Sequence, residues 1–130
     1  MKPMTSVVLS GLIACAGCNP FAPDQTVVLS VSGLEAPATV AAGNTISVVL
    51  SVDVNGCERF DRITVNRNVS GATLTAWGTD GSKGSKGVTC PEILKLESHT
   101  VQILPPFTDP FTITVPRGRL SPLTASVKTQ

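Results

Sequence analysis

The chain has 130 residues, a formal net charge of +1 and a charged fraction of 15%. Because it carries neither a basic stripe nor an acidic tail, we do not expect it to bind nucleic acid. Its four phenylalanines and single tryptophan, with no tyrosine, are too few for the usual stacking platforms for sugars or single strands. The length suits one domain, and abundant Val, Thr, Ser, Gly and Pro favours strands and turns.

The first residues have the organisation of a secretory signal. Lys2 supplies a positive charge, and an apolar run over residues 7–14 follows. That run is shorter than the roughly 20 apolar residues that cross a bilayer, and small residues follow it, as at signal cleavage sites. Residues 12–15, Leu-Ile-Ala-Cys, resemble the lipobox of bacterial lipoproteins. The resemblance implies that 1–14 is a signal peptide, cleaved before Cys15, and that the Cys15 sulfur carries a diacylglyceryl group.

A second cysteine leaves two candidates for the lipidation site. Cys18 also follows small residues, but three positions before it stands Cys15, where the family prefers leucine. We therefore predict lipidation at Cys15, with Cys18 as the alternative. Ala16 replaces the aspartate of inner-membrane retention signals, which favours the outer membrane or cell surface. The protein is thus expected to be exported and anchored to a membrane by lipid, with 15–25 as lipidated N-terminus and tether.

Residues 26–130 are predicted to form one all-β domain. In 45–54 apolar side chains recur at every second position, the pattern of a half-buried strand. No segment has a sustained helical period, and turn signals recur about every ten residues, as in an antiparallel sandwich of seven or eight strands. The predicted strands cover 26–32, 38–41, 45–54, 60–65, 72–77, 98–104, 111–115 and 123–127. The predicted core consists of the apolar residues on their inward faces: Ile46, Val48, Leu50, Val52, Ile63, Val65, Leu74, Val101, Ile103, Ile113 and Val115.

Two cysteines, Cys57 and Cys90, belong to this domain. An exported chain meets an oxidising compartment, so we predict a disulfide between them. A structural zinc site needs four nitrogen or sulfur ligands, and His99, the single histidine, does not complete one. We expect no metal and no other cofactor.

A further pattern points to a fold class. Residues 37–43, Pro-Ala-Thr-Val-Ala-Ala-Gly, precede the long alternating strand, which Gly56-Cys57 and a later cysteine follow. This order resembles the immunoglobulin-like β-sandwich lipoproteins of bacteria, many of which have no assigned activity. Trp77 lies between the two cysteines, as in immunoglobulin domains, but on a later strand than the tryptophan of those domains.

The sequence offers no catalytic constellation. His99 has no accompanying G-x-S-x-G nucleophile motif. Glu58 and Asp61 alternate with arginines, as solvated charges at a sheet edge do. We therefore expect a protein without enzymatic activity.

Residues 78–87 are rich in Gly, Ser and Lys but lack the Walker order of a phosphate-binding loop. This segment is expected to be a cationic surface loop, with Asp80, Lys83 and Lys86 as candidate partner-binding residues. The predicted function is that of a lipid-anchored, non-catalytic module of the cell envelope with a structural or protein-binding role. The alternative is an inhibitor of an exported hydrolase that acts through this loop.

Overall fold

The structure, a computed structural model, describes residues 25–81, 90–91 and 93–130. The predicted signal peptide, the lipidation candidates Cys15 and Cys18, and the loop residues Lys83 and Lys86 lie outside the described residues. The described residues form nine strands. These are β1 (Gln25–Val28), β2 (Ser30–Glu35), β3 (Thr39–Val40), β4 (Ile46–Val54), β5 (Glu58–Arg67), β6 (Gly71–Asp80), β7 (Lys95–Ile103), β8 (Phe111–Arg117) and β9 (Leu120–Thr129). In this part of the chain no helix has the length and hydropathy needed to cross a membrane.

The strands form two sheets that enclose one core. The larger sheet has the order β1-β6-β8-β9-β3, with β5 also paired to β6, and the smaller sheet has the order β2-β4-β7. β5 pairs with β6 from Ala72 to Asp80, so β1 and β8 share the other edge of β6. The buried apolar residues come from both sheets. The architecture is therefore a β-sandwich, as the sequence predicts.

Two strand pairs differ from the predicted antiparallel arrangement. Most neighbours are antiparallel, but β6 and β8 form a short parallel pair, as do β3 and β9. Parallel neighbours require a connection that crosses over before it returns. Between β6 and β8 the chain makes that crossing by contributing β7 to the smaller sheet.

The segment 26–32, which was predicted as one strand, is divided in the structure at Leu29. Before it, β1 pairs with β6 in the larger sheet, and after it, β2 pairs with β4 in the smaller sheet. Leu29 is fully buried, and its amide donates to the carbonyl oxygen of Ala76 at 2.9 Å. Both terminal methyl carbons of Leu29 lie 2.7 Å from the place where a Cβ on Gly78 would stand. Gly78 thus makes the room in which the chain changes sheets.

The predicted core is confirmed on four strands and wrong at one position. Its members on β4, β6, β7 and β8 are at most 9% exposed. Val65, however, is 41% exposed, and Ile63 is only partly buried. A bulge between Phe60 and Arg62 leaves one residue of β5 without a partner on β6. The bulge places Phe60 on the same face as Ile63, and both pack against the core. Val65 lies on that face too, opposite Leu74, but it is exposed because it lines an open groove at the end of the strand.

Candidate functional site

The sandwich has two ends with different chemistry. At one end, Gln25 and Glu58 both lie opposite Asp80, so the chain enters the domain where β6 ends. We call this the disulfide end, because Cys57 lies there. The distal end is the opposite one, formed by the β5–β6 turn at 68–70 and the β7–β8 connection at 104–110.

The disulfide end contains the predicted bond. Cys57 and Cys90 are joined, with their Cα atoms 5.2 Å apart, in agreement with the sequence analysis. The amide of Gly81 donates to the carbonyl oxygen of Cys57 at 3.0 Å. A Cβ on Gly56 would stand 2.4 Å from the carbonyl oxygen of Pro91, so the segment that contains Cys90 packs directly on the β4–β5 turn. The bond therefore joins two segments that are already in close contact.

The β4–β5 turn is closed by its own side chains. The side-chain oxygen of Asn55 accepts hydrogen bonds from the amides of Cys57 and Glu58, at 3.0 and 3.1 Å. In return the Glu58 carboxylate accepts from the amide of Asn55 at 3.1 Å. This is the usual way in which an asparagine stabilises a turn. Glu58 therefore has a structural role in this turn.

The other residues considered for catalysis are held in separate contacts. Asp61 forms an exposed ion pair with the adjacent Arg62. The His99 ring stacks on Phe60 across the two sheets, with centroids 3.7 Å apart. Its Nε2 atom has no hydrogen-bond partner among the described residues. Those residues also contain no group of three His, Cys, Asp or Glu side chains arranged to hold a metal ion. The structure thus does not join His99, Glu58 and Asp61 into one site.

Asp80 differs from its prediction as a residue of an exposed loop. It is the last residue of β6 and is 7% exposed, because it falls on the inward face of the alternating strand. Asp80 is therefore a buried strand residue rather than a residue of an exposed loop.

The distal end was not identified from the sequence, and Arg67 organises it. The Arg67 guanidinium donates to the carbonyl oxygens of Leu104 and Pro106. Its central carbon lies 5.1 Å from the ring centroid of Phe107 and 5.3 Å from that of Phe111. These are cation–π distances. Arg67 therefore fixes the β7–β8 connection against the end of β5.

A groove of about 440 Å³ lies beside this arginine. Its apolar lining includes three exposed side chains, Val65, Val69 and Leu104. The turn that carries Val69 is held to the β7–β8 connection, since the amide of Thr108 donates to the Val69 carbonyl oxygen at 2.7 Å. In the sequence, this region is marked by the adjacent prolines at 105 and 106, which indicate a connection between strands. We call this feature the distal groove.

The chain matches no protein family model, no curated protein and no solved structure. Its function must therefore be inferred from the chemistry of the two ends.

Proposed function

We propose that this protein is a lipid-anchored module of the cell envelope, attached at its disulfide end, whose distal groove binds a protein partner. The position of Gln25 carries this proposal. Because Gln25 lies opposite Asp80, the chain that leads back to Cys15 leaves from the disulfide end. A lipid on Cys15 would then hold that end near the membrane and direct the distal groove away from it.

The dimensions agree with this orientation. Residues 16–24 separate the lipidation candidate Cys15 from the domain, and a chain of that length reaches about 35 Å at most. β4 has nine residues, which correspond to about 30 Å of strand between the two ends. The distal groove therefore lies roughly one domain length from the point where the tether joins the domain.

The chemistry of the distal groove suits an uncharged, apolar segment of a protein. Among the described residues that line it, Arg67 is the one ionisable group, and its guanidinium already contacts three carbonyl oxygens and two rings. Exposed apolar side chains that are grouped together mark interaction sites. A cationic segment would lose hydration in this groove and would meet the like charge of Arg67.

Membership of the immunoglobulin-like class is part of the proposal. Its support is the two-sheet sandwich, in which the chain changes sheets between β4 and β5 and again before and after β7. Two features differ from immunoglobulin domains proper. The cysteines lie outside the strands, and Trp77 is only partly buried, with its indole nitrogen donating to Thr64 at 2.8 Å.

No observation favours the hydrolase inhibitor. The loop at issue begins at Gly81, immediately after Asp80, and therefore departs from the end at which the chain enters. In an anchored protein that end lies nearest the membrane, where an exported hydrolase has the poorest access.

Metabolic labelling with a fatty acid tests the anchor. We expect the wild type to be labelled and to fractionate with membranes, and Cys15→Ser to lose both properties. Cys18→Ser is the matched control and should keep them. If Cys18→Ser loses the label and Cys15→Ser keeps it, the lipid lies at Cys18. Absence of label in the wild type would contradict the anchor.

Site-specific photo-crosslinking in intact cells tests the distal groove. A photoreactive residue at position 104 should give a discrete adduct, and Val69→Ser in the same chain should abolish it. Position 120, on the β8–β9 hairpin, is the control, because Leu120 is also exposed but lies outside the distal groove. Equal adducts at both positions, or an adduct that is insensitive to Val69→Ser, would refute the assignment.

A further inference from the structure

A second group of exposed apolar side chains lies at the disulfide end. Ile93, Leu94 and Leu96 are 64%, 67% and 66% exposed. They flank Lys95, the first residue of β7. Single exposed leucines are common on protein surfaces, but three large apolar side chains exposed within residues 93–96 mark a candidate contact surface.

The register of the strands places this group beside the point where the chain enters. Lys95 lies opposite Val54, the last residue of β4. The short turn after Val54 leads to Glu58, which shares Asp80 as a register partner with Gln25. The three apolar side chains and the start of the domain are thus at the same end of the sandwich.

We propose that Ile93, Leu94 and Leu96 form a membrane-facing rim that inserts into the interface of the bilayer to which the protein is anchored. The inference rests on the proposed lipid anchor. The length of chain between Cys15 and the described residues is the reason for assigning a membrane, rather than a protein, to this surface. Residues 16–24 connect Cys15 to Gln25, so a lipid at Cys15 keeps the disulfide end within about 35 Å of the membrane surface.

The chemistry of the rim suits the zone between acyl chains and headgroups. Leucine and isoleucine side chains gain by leaving water for the acyl boundary, while the Lys95 ammonium can remain among the headgroups at the end of its flexible stem. Such a rim is too small to hold a protein on a membrane alone. Next to a covalent anchor, it acts at a high effective concentration and needs to supply only orientation.

The charged residues around the rim do not favour anionic over neutral lipids. The groove beside it, of about 420 Å³, is lined by two cations and two carboxylates, namely Arg59, Lys95, Glu58 and Glu97. We therefore expect contact with neutral and anionic bilayers to a similar extent. Equal contact with both kinds of bilayer would distinguish an apolar rim from a site that binds a lipid headgroup.

Fluorescence quenching by brominated lipids tests the rim. The full lipidated chain, carrying Trp77→Phe to remove its own signal, is inserted into vesicles of phosphatidylethanolamine and phosphatidylglycerol with brominated acyl chains. Leu94→Trp should lose at least half of its emission, and its emission maximum should shift to the blue relative to detergent solution. Leu104→Trp is the matched control at the distal end, since Leu104 is 66% exposed, and it should change little.

Equal quenching of the two variants, or quenching of Leu104→Trp alone, would overturn the rim. Flotation of the same samples comes first, so that a failure of the anchor is recognised separately: protein that does not float refutes the lipid anchor and with it the rim. Protein that floats while Leu94→Trp is not quenched refutes the rim alone. Vesicles without phosphatidylglycerol should give the same result as the mixture, and strict dependence on the anionic lipid would contradict an apolar contact.

Discussion

Replacing Leu50 with alanine tests the packing of the sandwich most severely. Leu50 is fully buried on β4, the central strand of the smaller sheet, between register partners Leu34 and His99. The three lost carbons correspond to about 2.4 kcal/mol of transfer free energy, at roughly 0.8 kcal/mol each. The cavity left behind adds to this, since strands paired on both sides of β4 limit its collapse. We therefore expect a loss of about 3–4 kcal/mol in the free energy of unfolding, within the range of about 2–5 for such changes.

Urea unfolding of the unlipidated Cys15→Ser chain, followed by Trp77 fluorescence, measures this loss. Val49→Ala is the matched control, because Val49 lies on the same strand but only partly buried on the opposite face. It should cost under about 1 kcal/mol, the span of strand propensities. A cost below about 0.5 kcal/mol for Leu50→Ala, or one no larger than that for Val49→Ala, would mean that β4 does not present this face to the core.

Three further changes examine other features of the fold by the same assay. Replacing both cysteines of the disulfide with serine should cost roughly 3–4 kcal/mol in the chain-entropy model, and free thiols in natively purified protein would show that the bond does not form. Ile63→Ala should cost at least about 1 kcal/mol more than Val65→Ala, because Ile63 packs against the core whereas Val65 is 41% exposed beside the distal groove; the reverse order would contradict this difference in burial. Gly56→Ala should cost on the order of 1–3 kcal/mol, since its Cβ would meet the backbone oxygen of Pro91 at 2.4 Å, whereas Gly33→Ala, which meets only a serine side chain, should cost less.

The parts of the fold that the sequence predicts correctly are those that local periodicity determines. On β4, apolar residues alternate without interruption, so the buried face follows directly from the pattern. On β5 the alternation gives the face that Ile63 and Val65 share but not their exposure, because Val65 lies where that face opens into the distal groove. The break at Leu29 is missed for a related reason. Residues 26–32 are suited to a strand throughout, and only the presence of two sheets divides them.

The candidate sites divide in the same way. The disulfide was predictable, because it depends on the compartment and on the number of cysteines. The distal groove was not predictable, because the contact between Arg67 and Leu104 joins residues 37 positions apart and no local sequence pattern indicates it. The position of Gln25 likewise depends on the β1–β6 pairing. Whether an end of the sandwich lies near the anchor is therefore a property of the topology.

The central claim is that the mature protein begins at a lipid-bearing cysteine, which residues 16–24 connect to the disulfide end. Mass spectrometry of the N-terminal peptide, prepared from the membrane fraction of cells that express the full chain, tests it most directly. We expect a peptide that begins at Cys15 and carries the mass of a diacylglyceryl group, with no residue of the signal before it. A peptide that retains Met1, or one that begins at an unmodified residue, would contradict the lipid anchor and the orientation of the domain that depends on it.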